Sequence, residues 1–104
     1  MVEFQEGNDG QLAEIKQAES FAVSLKENPT TGFRWNLAAN GEPVCRMTGE
    51  EFEPVLTPGA QGVHHWRFQA VQAGAAELKL VLERPWARTG KPARTFSLRV
   101  QVKA

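Results

Sequence analysis

At 104 residues the chain has room for one ordinary domain and too little for two. Its apolar (41%) and charged (23%) fractions are those of a globular protein, so a disordered chain is excluded. Twelve basic residues cancel twelve acidic ones, which leaves no cationic surplus to release counterions from nucleic acid or anionic lipid.

Period-two alternation of apolar and polar residues recurs down the chain, each run closed by turn residues. Ala13 and Ile15 begin a short run, in a segment that fits a strand about as well as a helix and is assigned as strand. Phe21, Val23 and Leu25 alternate with Ala22, Ser24 and Lys26 until the Asn28-Pro29 break. Phe33, Trp35 and Leu37 follow, closed by Asn40-Gly41. Val44 and Met47 mark a short edge piece, and Phe52 and Val55 a weak fourth strand ended by Pro58-Gly59. His64, Trp66, Phe68 and Ala70 alternate as far as Gly74, then Leu78, Leu80 and Leu82 run to Arg84-Pro85. Phe96, Leu98, Val100 and Val102 alternate to the C-terminus. About seven or eight short strands with no long helical period predict one all-β domain over residues 1–104, an antiparallel sandwich. Its core should hold Phe21, Val23, Leu25, Phe33, Trp35, Trp66, Phe68, Leu80, Leu82, Leu98 and Val100. No apolar run approaches the roughly 18–20 residues that cross a bilayer, so no membrane partner is expected. Met1–Glu6 carries acid where a secretory leader is basic, and no apolar stretch follows. The given chain therefore shows no signal peptide. The compartment stays open: periplasmic or secreted if a leader was trimmed, otherwise cytoplasmic.

If consecutive strands run antiparallel, every second connection returns to the same end of the sandwich. With Phe21–Leu25 taken as the second strand, the loops 28–32, 57–62 and 85–92 share one end. They are also the richest in Gly, Pro and Thr. In the first, Asn28-Pro29-Thr30-Thr31-Gly32-Phe33, Pro29 fixes its own φ and Gly32 permits a positive one, which presents two threonines at a preordered tip. In the second, Pro58-Gly59-Ala60-Gln61-Gly62, small residues expose backbone groups to which an extended partner can hydrogen-bond. In the third, Arg84-Pro85-Trp86, a large aromatic in a loop either folds back over the sandwich end or serves as a binding anchor. Each loop taken singly also fits an ordinary turn, and the basic flank of Arg84, Arg88, Lys91 and Arg94 a solvated face.

Catalytic and metal chemistry find little material. His64 and His65 are neighbours on a strand, so their side chains point to opposite faces and cannot share a metal or a proton relay. Cys45 is the only cysteine, which excludes an internal disulfide and a cysteine-rich zinc site. Glu50, Glu51 and Glu53 read as a surface charge cluster. The stretch 59–62 lacks the Lys-Ser/Thr and helix of a phosphate loop. No cofactor is expected.

Taken together and in order, Asn28-Pro29-Thr30-Thr31-Gly32-Phe33, Gly59-Ala60-Gln61-Gly62 and Arg84-Pro85-Trp86 resemble chagasin and its bacterial relatives, protein inhibitors of papain-like cysteine peptidases. The resemblance runs from the strand before Asn28 to the C-terminal strand. It implies an immunoglobulin-like sandwich whose three loops form a wedge filling the peptidase cleft reversibly and without a covalent bond, and nothing in the sequence calls for more than a monomer. Thr31 would then face the catalytic cysteine and histidine. Residues 59–62 would lie along the non-primed side, and Arg84, Pro85 and Trp86 would cover the primed side. Gln61 departs from the glycine common in relatives, and Ala87-Arg88-Thr89-Gly90-Lys91 is unusually basic. The alternative is a non-inhibitory immunoglobulin-like adhesion or ligand-binding module, which would bind through a sheet face and leave Thr31 and Trp86 without a shared role.

Overall fold

The structure, a computed structural model, describes residues 2–28, 32–54, 61–84 and 93–104. Among the described residues eight strands form two four-stranded sheets: β1 (Val2–Phe4), β2 (Leu12–Lys16), β3 (Ser20–Glu27), β4 (Arg34–Asn40), β5 (Cys45–Glu53), β6 (Gly62–Ala70), β7 (Gly74–Glu83) and β8 (Arg94–Lys103). One sheet has the order β1-β3-β6-β5 and the other β2-β8-β7-β4. Among the described residues the only helical element is a 3-10 turn at Glu6–Asn8. The segment from Leu12, whose pattern suits strand and helix alike and which is assigned as strand, forms β2 and the start of β3.

Two pairings depart from a purely antiparallel sandwich. β1 runs parallel to β3, and β2 parallel to β8, so both sheets are mixed. β1 itself is not foreseen by the alternation, since three residues carry no measurable period. Val44, Met47 and Phe52, expected in two separate pieces, lie in or just before one nine-residue strand. A register shift between Met47 and Gly49 breaks its phase, which is why a single strand reads as two. Val55 lies outside the described residues.

The inward faces meet in one apolar core. Phe21 stacks on Phe68 with ring centroids 5.4 Å apart, and Phe4 packs edge-on against Phe21. Trp66, Leu25, Val23, Leu80, Leu98 and Val100 are fully buried, and Trp35 nearly so. Truncating an aromatic such as Phe68 to alanine should cost about 3–5 kcal/mol. Phe33 and Leu82, expected in the core, are only half-buried because they stand where the sandwich opens at one end. Ala22 and Ser24, expected to face solvent, are buried. They are small residues on an inner strand, and the longer Arg67 and His65 lie beside them in register on β6.

Register fixes what lies at each end. Glu27 pairs with Gly62 and Val63 with Glu53, while Arg34 pairs with Glu83 and Leu82 with Arg94. The strand ends flanking the three Gly/Pro-rich loops therefore lie at one end of the sandwich, as strand parity predicts. At the other end Gly41 takes a positive φ of 79°, and the Cys45 N–H donates to its carbonyl at 2.9 Å.

Cys45 is wholly buried at that far end, and desolvation pushes its thiol above the ordinary thiol range. The unfolded chain then loses this proton at lower pH than the folded one. The stabilisation is complete below the ordinary thiol range and fades as pH rises through the raised value. Thiol-reagent labelling at neutral pH should be far slower in buffer than in urea. Equal rates would show that the thiol is open to solvent.

Candidate functional site

The first loop leaves β3 at Glu27 and rejoins the fold at Gly32, whose φ of 80° is the left-handed conformation for which glycine is suited. Asn28 is half-buried beside it. Pro29, Thr30 and Thr31 lie outside the described residues, as do Gly59, Ala60, Pro85 and Trp86. Of the second loop, Gln61 is exposed, whereas Gly62 is buried as the first residue of β6. Arg84, which opens the third loop, is exposed. A shallow recess at this end is lined by Glu27, Asn28, Phe33, Gln61, Leu82 and Arg94, which brings the bases of all three loops to one place.

Specific contacts hold those bases together. The Arg84 guanidinium sits 4.3 Å from the centroid of the Phe33 ring, a cation–π contact joining the first and third loops. The Trp35 backbone N–H donates to Glu27 Oε1 at 2.7 Å, and the Trp35 indole N–H donates to the Lys26 carbonyl at 3.0 Å. Both bonds cross from one sheet to the other. Glu27 Oε1 also lies 3.3 Å from His64 Nδ1, and His64 Nε2 lies 2.7 Å from Glu50 Oε2. The His64 ring stacks on Trp66 at 3.9 Å, and Phe52 meets it edge-on.

Sequence reasoning missed Glu27, although a signal was present. Glu27 continues the inward phase of Phe21, Val23 and Leu25, so alternation alone places this acid against the core. It is 7% exposed, and a carboxylate so buried is costly unless its oxygens are hydrogen-bonded. His64 and His65 do point to opposite faces. His65 lies 2.7 Å from Ser24 Oγ and 3.2 Å from Glu53 Oε1 on the outer face. Ser24 in that hydroxyl–imidazole–carboxylate chain is 4% exposed and lines a recess together with Lys26, Val63 and His65. Of the acidic cluster on β5, only Glu51 makes a simple surface pair, 3.7 Å from Arg67, which contributes little. Glu50 and Glu53 instead hold the two imidazoles. Among the described residues no three His, Cys, Asp or Glu side chains converge on a metal position.

The model of the family described as chagasin family peptidase inhibitor I42 matches residues 14–100. Amoebiasin-1 of Entamoeba histolytica is 30% identical over 99 residues, covering 93% of this chain and 95% of that protein. The solution structure of Amebosin superposes with a TM-score of 0.78 at 30% identity, covering 98% of this chain and 97% of the other. The cysteine protease inhibitor EhICP2 from Entamoeba histolytica shares the fold with a TM-score of 0.86 at 20% identity, covering 98% and 94% of the two chains.

Gly62 offers a local test. A Cβ there would meet Phe52 Cζ at 2.5 Å and the Glu53 carbonyl oxygen at 2.7 Å, so β5 would have to shift. Gly62→Ala should destabilise the fold by about 1–3 kcal/mol in urea denaturation. Gly49→Ala is the control, since its Cβ meets only Arg67 Nη1 at 3.8 Å, and it should be close to neutral. Equal stability of the two variants would contradict the packing described at the second loop's base.

Proposed function

The chain belongs to the chagasin family of peptidase inhibitors, and from that membership we propose that it inhibits papain-like cysteine peptidases by filling the active-site cleft with its three loops. The observation that carries the reading is the gathering of all three loop bases at one end of the sandwich. Related proteins point to the same target class. One is named a cysteine protease inhibitor, and another, PbICP-C, has been solved in complex with falcipain-2. Membership in an inhibitor family displaces the adhesion-module alternative.

Inhibition on this reading is steric and reversible. The chain's single thiol, Cys45, is buried at the end away from the loops, so it cannot form a mixed disulfide with the peptidase's cysteine. Thr31 occupies the centre of the wedge, opposite the catalytic cysteine and histidine. Pro29, two residues earlier, fixes its own φ and restricts Asn28 before it, so less entropy is lost on docking. Residues 59–61 lie along the non-primed groove, where small side chains allow backbone approach. Gly62 serves from inside β6, by permitting Phe52 and Glu53 to close on the loop's base. Arg84, Pro85 and Trp86 cover the primed side, and the Arg84–Phe33 contact fixes how that arm leaves the first loop.

Titration of papain with the purified chain, followed by inhibition constants for two variants, tests this reading. Trp86→Ala removes an aromatic anchor and should cost roughly 2–4 kcal/mol, or about 30- to 1,000-fold in the constant. Thr31→Arg should block access to the cleft, whereas Thr31→Ala should cost only about 1 kcal/mol, the worth of one hydrogen bond. With melts showing intact folds, parent-like inhibition by both Trp86→Ala and Thr31→Arg would overturn the three-loop wedge.

A further inference from the structure

We propose that the inhibitory end is electrostatically polar, negative beside the second loop and positive beside the third. It then fits a peptidase whose cleft has the opposite polarity, with a basic rim on the non-primed side and an acidic rim on the primed side. The proposal rests on the inhibitor reading and its placement of the loops, and adds the charge of the partner.

A formal net charge of zero conceals how the charges are distributed. Residues 28–33 and 54–61, which hold the first two loops, contain no Asp, Glu, Lys or Arg. Charge at this end therefore comes from the strand ends and the third loop. On the sheet that bounds the second loop, the last four residues of β3 and of β5 and the first four of β6 carry four acids against one base. The acids are Glu27, Glu50, Glu51 and Glu53, and the base is Lys26. On the other sheet, the first four residues of β4 and of β8 and the last four of β7 carry Arg34 and Arg94 against Glu83. Arg84 follows directly, and residues 85–93 add Arg88 and Lys91 with no acid.

The two signs do not cancel each other. Among the described residues every ion pair stays within one sheet. The Glu50, Glu51 and Glu53 side chains are 48%, 55% and 66% exposed. Of these three only Glu51 meets a guanidinium among the described residues, that of Arg67 at 3.7 Å, while Glu50 and Glu53 contact imidazoles. Arg34, Arg84 and Arg94 are exposed on the other side. Arg84 lies over the Phe33 ring, a contact that leaves its charge in place. Glu83, the acid among them, accepts from the Asn36 amide at 3.2 Å.

Topology turns this segregation into a direction. The first loop joins β3 of one sheet to β4 of the other, so it stands between the two charged halves. From the second loop through the first to the third, the sign of the flanking charge changes once. With the second loop on the non-primed side and the third on the primed side, the inhibitor's field points along the cleft. A cleft of opposite polarity is met faster, because such steering acts before contact, and a cleft of the same polarity is repelled. Salt weakens both effects, since exposed charges more than about 10 Å apart are largely screened at 0.1 M.

The experiment measures association rates with papain from about 0.05 to about 0.5 M salt. Papain is used unmodified and as two pairs of variants. One pair carries acidic or basic side chains at the same two surface positions of the primed rim, and the other pair does so on the non-primed rim. At the lowest salt the parent should associate roughly fivefold or more faster with the acidic than with the basic primed-rim form. On the non-primed rim the basic form should be the faster one, and both preferences should fade at the highest salt. Arg94→Glu should shrink the primed preference and Glu51→Lys the non-primed one, with melts confirming each fold. Lys103→Glu is the control: it changes net charge as Arg94→Glu does, but at the opposite end of β8, roughly 30 Å away. Equal rates at either rim, the opposite preference, or a Lys103→Glu effect as large as that of Arg94→Glu would overturn the proposal while inhibition itself stands. Unmodified papain left uninhibited would overturn the inhibitor reading, and the charge of its partner with it.

Discussion

Glu27 places a carboxylate against the core at the position where two sheets must be joined and the first loop begun. A buried carboxylate costs several kcal/mol unless its oxygens are hydrogen-bonded. Here the Trp35 N–H comes from the opposite sheet and the His64 ring from the neighbouring strand. The requirement to satisfy this one group therefore fixes the separation of the sheets at the loop end. It also fixes the register of β3 against β6. The Trp35 indole reinforces the same junction through the Lys26 carbonyl. At the other end no charged side chain is buried among the described residues, and short turns such as the one at Gly41 close the sandwich.

An inhibitor that works by shape needs its contact residues presented in a fixed relation before binding, because ordering them afterwards lowers affinity. Three links supply that relation from below: Glu27 with Trp35, Glu27 with His64, and Arg84 with Phe33. The first closes the first loop across eight residues, and the other two join segments far apart in sequence. The half-burial of Phe33 and Leu82 follows from the same design, since an end that presents loops cannot also be sealed by core side chains.

Much of the fold is legible in the alternation of β3, β6, β7 and β8, where each second residue enters a single core. Strand parity locates the loop end because the eight strands alternate in direction, even though two of the pairings are parallel. β5 is harder to read for a physical reason. Cys45 and Met47 share one phase, but the register shift before Gly49 brings Glu50 and Phe52 opposite Trp66 and His64. By sequence alone Glu50 belongs with Glu51 and Glu53 on the surface, and nothing in the spacing connects it to His64. Glu27 is legible by phase but easily passed over, because an acid after an apolar run commonly marks where a strand ends. The loop residues were recognisable from their chemistry, Gly32 for its positive φ above all. The links beneath them depend on contacts between segments that the sequence does not bring together.

The central claim is that one end of the sandwich, and not a sheet face, engages the peptidase. Amide chemical-shift mapping of the labelled chain tests it most directly, with papain whose catalytic thiol is capped by a small methylthio group. The account predicts that the largest changes fall on Asn28, Phe33, Gln61 and Arg84 and on the loops they bound, with β2 and the outer faces of both sheets unchanged. Changes centred on the outer face around Arg67, or along the edge at Leu12–Lys16, would contradict it.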